Sequence, residues 1–531
     1  MVEQNSSKKR TILIIIGVMV GILLASLDSN IVSTAMPKII GSLNGTNLYA
    51  WPVTAYMLSM TISTPLFGKM SDVYGYKPIY LFGICVFLMG SVLCGISQSM
   101  MQFIICRGIQ GVGGAILISN TMAIIGILFP PADRAKYGSF VTAASGIASL
   151  VGPVLGGLIT DHLTWRWVFF VNIPLSIIAL AIIIFAFPSY KATEEHRQID
   201  YAGAVVMIIA LIPMLLAFTW GGGDYAWNSV QIIGMLVFAA IMLITFGVVE
   251  SKADDPIIPL SLFKNSVFNL SALEMFLFNG VMIAVTTFIP LFLQVVKGLS
   301  ASKSGALITP MMFSLMAGVA ISGLIISKSC KYKMLSIAGF LIMGFGTVML
   351  LFLNINSDNS LIVISMILMG LGIGVAMAIY NVTAQNVFPN SQMGVVTSSI
   401  QFFRMMGQTI ASSVLGTIFI NSLSNGIKNL DVSKFPAELA QQLKDTNTIT
   451  DSDAIITLKS LVPADLTSNF ETIMAQIKQT LSASIHQVFV ICAIIVMVAL
   501  ITAFFMKEVP MSRRSNIEKT QEESGNTKVI E

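Results

Sequence analysis

The sequence predicts an all-α integral membrane protein of about fourteen transmembrane helices. Three observations predict it. Of 531 residues 55% are hydrophobic, and only 11% are charged, against about 25% in soluble globular chains. Apolar runs of about twenty residues, the length that crosses a bilayer, recur from residue 12 to residue 506.

Taken in order, the apolar segments lie near 12–32, 48–67, 79–98, 101–125, 138–160, 167–187, 203–220, 230–249, 267–292, 304–326, 334–353, 360–380, 392–420 and 485–506. The first follows Lys8, Lys9 and Arg10 but has no small-residue cleavage site, so it reads as a span and not as a secretory signal. An even number of spans puts both termini on one side. With that side cytoplasmic, the inner loops and tails hold 19 Lys and Arg and the outer segments nine, five of them in one long loop where charge bias counts little. Arg107 and Arg404 fall within spans.

An internal echo divides the chain. Gly68-Lys-Met-Ser-Asp72-Val-Tyr-Gly75-Tyr-Lys77 follows the second span, and Gly323-Leu-Ile-Ile-Ser327-Lys-Ser-Cys330-Lys-Tyr-Lys333 follows the tenth. This fits two six-helix bundles, residues 1–200 and 251–531, with two inserted helices at 201–250. The second unit carries an outer loop, 421–484, and a cytoplasmic tail, 507–531. In that loop Leu466, Phe470, Ile473, Met474, Ile477 and Leu481 keep helical spacing, Ser468-Asn-Phe-Glu471 reads as a capping box, and residues 436–443 form a shorter helical piece. The loop is a lid or partner surface, or a plain elaboration.

Several function classes are excluded. The charge of +4 is too small and dispersed for nucleic acid. Cys85, Cys94, Cys106, Cys330 and Cys492 lack CxxC spacing and a histidine cluster, which argues against disulfides and metal. His162, His196 and His486 are scattered, so no span pairs histidine with carboxylates at catalytic spacing and no enzyme is expected. Gly111-Val-Gly113-Gly114 has no preceding strand and reads as helix packing, and no GxxxxGK[ST] is present. No cofactor is expected; a proton gradient is the expected energy source.

Ionised side chains in hydrocarbon cost about 2.5 to 3.5 kcal/mol even on lenient scales, so Asp28, Arg107, Glu274 and Arg404 are the candidate proton-coupling residues. At 1.5 Å per residue Asp28 lies about 24 Å from the inner end of span 1 and Arg107 about 9 Å from the outer end of span 4, so the two could meet. Asp28 is then a proton or cation site, or half of a static ion pair. Arg107 is its electrostatic partner. Glu274, about 10 Å from the inner end of span 9, is a second proton carrier, an anchor for a cationic substrate, or a carboxylate that snorkels to water or is capped by a neighbouring helix. Arg404, flanked by Gln401 and Gln408, is placed to hold a counter-charge such as Glu274. The candidate substrate-binding residues are Asp28, Glu274, Tyr56, Asn279 and Gln401. Gly152, Pro153 and Gly156 combine close packing with a kink in span 5, at an interface between rocking bundles. Thirty-two methionines suit an adaptable lining or serve as ordinary apolar filler.

The chain resembles the fourteen-spanner drug:proton antiporters of the major facilitator superfamily. The resemblance rests on Leu27-Asp28-Ser-Asn-Ile-Val-Ser-Thr-Ala-Met-Pro37, the Gly68–Lys77 loop, Arg107-Gly-Ile-Gln-Gly111, Gly152-Pro153, and Trp165-Arg-Trp-Val-Phe-Phe-Val-Asn-Ile-Pro174. It implies a major facilitator fold, alternating access, and efflux of lipophilic and in some cases cationic drugs in exchange for protons. It also implies a gating contact by Asp72, with Gly68 and Lys77 in the same conformational motif. The expected setting is a bacterial cytoplasmic membrane and a functional monomer, with lipid, protons and a small lipophilic substrate as partners. An exporter or flippase of a specific lipid or metabolite on the same fold is the alternative.

Overall fold

The computed structural model describes residues 8–43, 48, 51–188, 200–222, 225–329, 331–428, 430, 435–450, 455, 458–459, 462 and 466–508. The tail at 507–531 lies almost wholly outside the described residues. So do parts of the 421–484 loop.

The described chain is helical, apart from one isolated bridge between Gly221 and Tyr225. A run of apolar side chains leaves no backbone partner in lipid, so each segment satisfies its own amides as a helix. The first seven helices are α1 (Lys8–Leu43), α2 (Trp51–Tyr74), α3 (Tyr76–Ile96), α4 (Met100–Leu128), α5 (Pro131–His162), the short α6 (Trp167–Phe170) and α7 (Asn172–Ala186). They pack on one another through the pairs α1·α5, α2·α4, α3·α4 and α1·α7. A second group comprises α10 (Ser266–Leu291), α11 (Ala301–Ser329), α12 (Lys333–Leu351), α13 (Asn359–Asn386), α14 (Met393–Lys428) and a last long helix, α17 (Thr467–Phe504). Its pairs include α11·α13, α12·α13, α10·α14 and α12·α17. Between the groups come α8 (Tyr201–Trp220) and α9 (Val230–Lys252), which pack on each other. Side-chain caps start several of these helices: Asp200 accepts from Gly203 N at 2.8 Å, and Asn265 accepts from Val267 N at 2.9 Å.

The two groups meet where α5 packs on α11 and where α14 packs on α2 and α4. α8 also packs on both α2 and α14, so the insertion is seated against that second seam. The side holding the basic loops is called inner below.

Thirteen helices among the described residues are long and apolar enough to cross a membrane, against the expected fourteen. The difference is α2. At 24 residues it reaches about 36 Å, but Thr61, Ser63, Thr64, Lys69, Ser71 and Asp72 lower its hydropathy. These polar groups are buried, so α2 spends them on contacts with protein and not on lipid.

The outer loop differs from its expected form. The helical stretch after Leu466 and the last span are one continuous 38-residue helix, α17, about 57 Å long and well beyond the hydrocarbon thickness. Its cap position is Leu466, with no side-chain cap bond, so the expected capping box at Ser468 is not made. The apolar stripe is real: Phe470, Ile473, Met474, Ile477 and Leu481 are buried in one cluster with Leu423, Ile427, Phe435, Leu439 and Leu443. The shorter piece is α15 (Ala437–Lys444), followed by α16 (Thr446–Thr450).

Candidate functional site

Asp28 lies inside the first helical group with no exposed surface. Arg107 Nη1 on α4 donates to Asp28 Oδ2 at 2.6 Å and to Gln110 Oε1 at 2.7 Å. Gln110 Nε2 donates to Asp28 Oδ1 at 2.8 Å, and Asn172 Nδ2 on α7 donates to the same oxygen at 3.0 Å. The guanidinium carbon of Arg107 lies 4.2 Å from the ring centroid of Tyr56 on α2. Two helices, α4 and α7, thus supply donors to one carboxylate on α1, and α2 supplies a π face to the arginine that pairs with it. A buried charge without such partners would be strongly unfavourable. The equal depths of Asp28 and Arg107 inferred from residue counts correspond to a real contact. Tyr56 is buried against this cluster, and its hydroxyl has no hydrogen-bond partner among the described residues. It belongs to the wall behind the arginine.

A second constellation closes the inner side. Asp72, near the end of α2, accepts from the backbone amides of Gly394 and Val395 at 2.8 Å each, and from the Tyr76 hydroxyl. Gly394 and Val395 are the second and third residues of α14, so the carboxylate caps that helix and meets the positive end of its dipole. The contact spans 322 residues and joins the two groups. Gly68 permits it: a Cβ there would stand 2.8 Å from the Gly394 carbonyl oxygen. Gln385 on α13 adds a bond to the Met122 carbonyl of α4 at 3.2 Å, and Arg134 donates to the Gln385 carbonyl at 3.3 Å. Burial holds Arg134 below the usual guanidinium range, at about 10, still far above neutrality. Lys69 pairs with Asp255, in the segment after α9, tying the insertion to the same end of α2. Lys77 is separate from this closure and donates to the Ile184 carbonyl at 2.8 Å within its own group.

The remaining intramembrane charges do not pair with each other. Glu274 Oε1 accepts from Thr502 Oγ1 of α17 at 2.6 Å, and Glu274 Oε2 has no hydrogen-bond partner among the described residues. Arg404 Nε donates to Gln401 Oε1 at 2.6 Å. The expected Glu274–Arg404 counter-charge is therefore not formed. Glu274 is turned toward α17, and Arg404 Nε is bonded to the uncharged Gln401 amide instead. Glu274 is buried, which removes snorkelling to water as an explanation. Asn279 Nδ2 donates back to the Met275 carbonyl at 2.8 Å, and Gln401 Nε2 reaches Asn381 Oδ1 at 3.4 Å.

Gly152 and Gly156 lie where α5 crosses α1. A Cβ on Gly152 would stand 2.6 Å from Asn30 Cβ, and one on Gly156 would stand 2.9 Å from the Ile31 carbonyl oxygen. Pro153, between them, is exposed. On its other flank α5 packs on α11 of the second group, with Gly146 against Met316. α5 is thus a shared surface between the groups.

The outer half of the seam between α2 and α14 holds a cavity of about 380 Å³. It is bounded by neither Asp28 nor Glu274, nor by Tyr56, Asn279 or Gln401. The candidate substrate residues are instead distributed inside the two groups. Gln110, Asn172, Gln385, Arg134 and the Lys69–Asp255 pair were not singled out from sequence. Gln110 carried a signal, lying three residues after Arg107 on the same helix face, as did Asn172, a lone amide in an apolar span.

A family model described as Major Facilitator Superfamily matches residues 18–412. Multidrug transporter protein MdtP of Bacillus subtilis is 36% identical and covers 100% of this chain and 99% of its own length. Multidrug resistance protein 3 of the same organism is 34% identical, over 94% of this chain and 96% of its own. Among solved structures, the human organic anion transporter MFSD10 superposes with a TM-score of 0.60 at 12% identity, covering 92% of this chain and 100% of that one. That likeness bears on the fold alone.

Proposed function

Because the chain belongs to the major facilitator superfamily, we propose that it exports lipophilic small molecules in exchange for protons, with Asp28 as the proton carrier. The names of its Bacillus relatives support multidrug substrates. One observation carries the coupling: a carboxylate wholly enclosed among Arg107, Gln110 and Asn172. Adding a proton to Asp28 removes the charge that holds Arg107 and occupies an oxygen that now accepts from a donor. The four side chains cannot keep their arrangement when that happens, so the helices carrying them must shift.

The inner contacts give the shift a direction. While Asp72 caps α14, the inner ends of the groups are held together and the outer seam holds the cavity. Leaving the Gly394 and Val395 amides opens the inner side, and the two closures alternate around the seam. Arg107 acts as the electrostatic partner of Asp28.

The test is export from proteoliposomes under an imposed pH gradient, with chloramphenicol and tetraphenylphosphonium as probes. Wild type should move at least one probe only when the gradient is present, and Asp28→Asn should abolish that dependence. Movement of the probes at equal rates with and without the gradient would overturn the proposal.

A further inference from the structure

We infer that the cavity between α2, α8 and α14 is a binding site for uncharged amphipathic molecules, and that the inserted helix α8 forms one of its walls. The inference rests on the export reading and names its substrate class. The volume, about 380 Å³, lies within the range of small-molecule pockets. α14 contributes Gln408, Thr409, Ser413 and Thr417, and α2 contributes Thr54 and Thr61 beside Met57 and Met60. Among the described residues no Asp, Glu, Lys, Arg or His borders the cavity.

That composition selects by charge. A cation entering would shed water and meet no counter-charge, since Asp28 is committed to Arg107 and Glu274 to Thr502 on the far side of α10. An uncharged molecule loses little by comparison. The hydroxyls favour one with polar groups of its own. Thr61 and Thr409 donate to backbone carbonyls one turn earlier, which leaves their oxygens as acceptors for a ligand donor. Methionines and Phe218 supply the adaptable apolar remainder.

α8 is part of this site by construction. Leu215, Phe218, Thr219 and Gly222 face the cavity. The turn after α8 is pinned to α14 by Trp227 Nε1, which donates to Thr417 Oγ1 at 2.8 Å. Gly222 there has φ 81°, and a Cβ would stand 2.7 Å from Trp227 Nε1, so both conformation and space demand glycine. Trp220 packs edge to face on Trp51 at the start of α2, with centroids 5.6 Å apart. The insertion is thereby joined to both α2 and α14 at the outer end of the seam.

The experiment measures binding by the purified full-length chain in lipid nanodiscs, with chloramphenicol and linezolid as uncharged probes and tetraphenylphosphonium as the cation. Thr219→Phe on α8 and Ser413→Phe on α14 each fill the cavity. Each should weaken binding of the uncharged probes by about tenfold or more, with an unchanged melting temperature, and tetraphenylphosphonium should not compete. Should one variant fail to fold, the other keeps the test intact. Equal competition by the cation, unchanged affinity in the folded variants, or no measurable binding of either uncharged probe would each overturn the inference. Gradient-independent transport with the binding pattern intact would instead sink the proton-coupled reading and leave the site standing.

Discussion

Arg107 Nη1 lies 2.6 Å from Asp28 Oδ2, and neither side chain is more than 2% exposed. Removing one partner of such a buried pair costs about 3–5 kcal/mol, because it leaves the other charge uncompensated. Asp28→Asn should therefore lower the melting temperature in detergent by more than the double variant Asp28→Asn with Arg107→Gln. Both should lack gradient-driven export. Equal stability of the single variant and wild type would mean that Arg107 finds another partner.

Asp72 holds the inner seam through two backbone amides of α14. Hydrogen bonds to a charged group contribute about 1.5–3 kcal/mol each, so Asp72→Ala should shift the population toward an inner-open form. Ser398, buried beside Gly68 at this seam, reports it: in a background with the native cysteines replaced, Ser398→Cys should react several-fold faster with a membrane-impermeant maleimide from the inner side once Asp72 is removed. An unchanged rate would show that other inner contacts suffice.

Crossing of α1 and α5 requires Gly152, where a Cβ would approach Asn30 Cβ to 2.6 Å. Overpacking of this kind costs about 1–3 kcal/mol. Gly152→Val should leave the chain inserted but reduce transport at least tenfold, since α5 also carries the contact with α11. Wild-type transport rates in the variant would mean that α1 can move aside freely.

Glu274 joins α10 to α17 within one helical group. Glu274→Gln keeps an acceptor for the Thr502 hydroxyl and should preserve both stability and Asp28-dependent proton coupling. A lost proton, measured as reduced proton release per bound probe, would assign Glu274 a coupling role instead.

Much of this arrangement was legible in the chain. The spans could be drawn because lipid tolerates only long apolar helices that satisfy their own amides, and the nearly coincident depths of Asp28 and Arg107, which allowed the two to meet, could be reached from rise per residue. Gln110 and Asn172 were harder: each is a neutral amide, which costs less to bury than a charge and raises less alarm in a sequence. Glu274 and Arg404 misled for the opposite reason. Opposite charges in two spans suggested a pair, but rotation of each helix about its axis decides what a side chain meets, and helix rotation has no signature in residue counts.

The sequence by itself determined that this chain crosses a membrane many times and which helix carries the enclosed carboxylate, because both follow from hydropathy and one-dimensional spacing. The tertiary structure alone decided that Asp72 would cap α14, that Lys69 would reach Asp255, and that α8 would wall the outer cavity. These contacts join segments up to 323 residues apart, and they depend on the relative placement of two helical groups that no local pattern encodes.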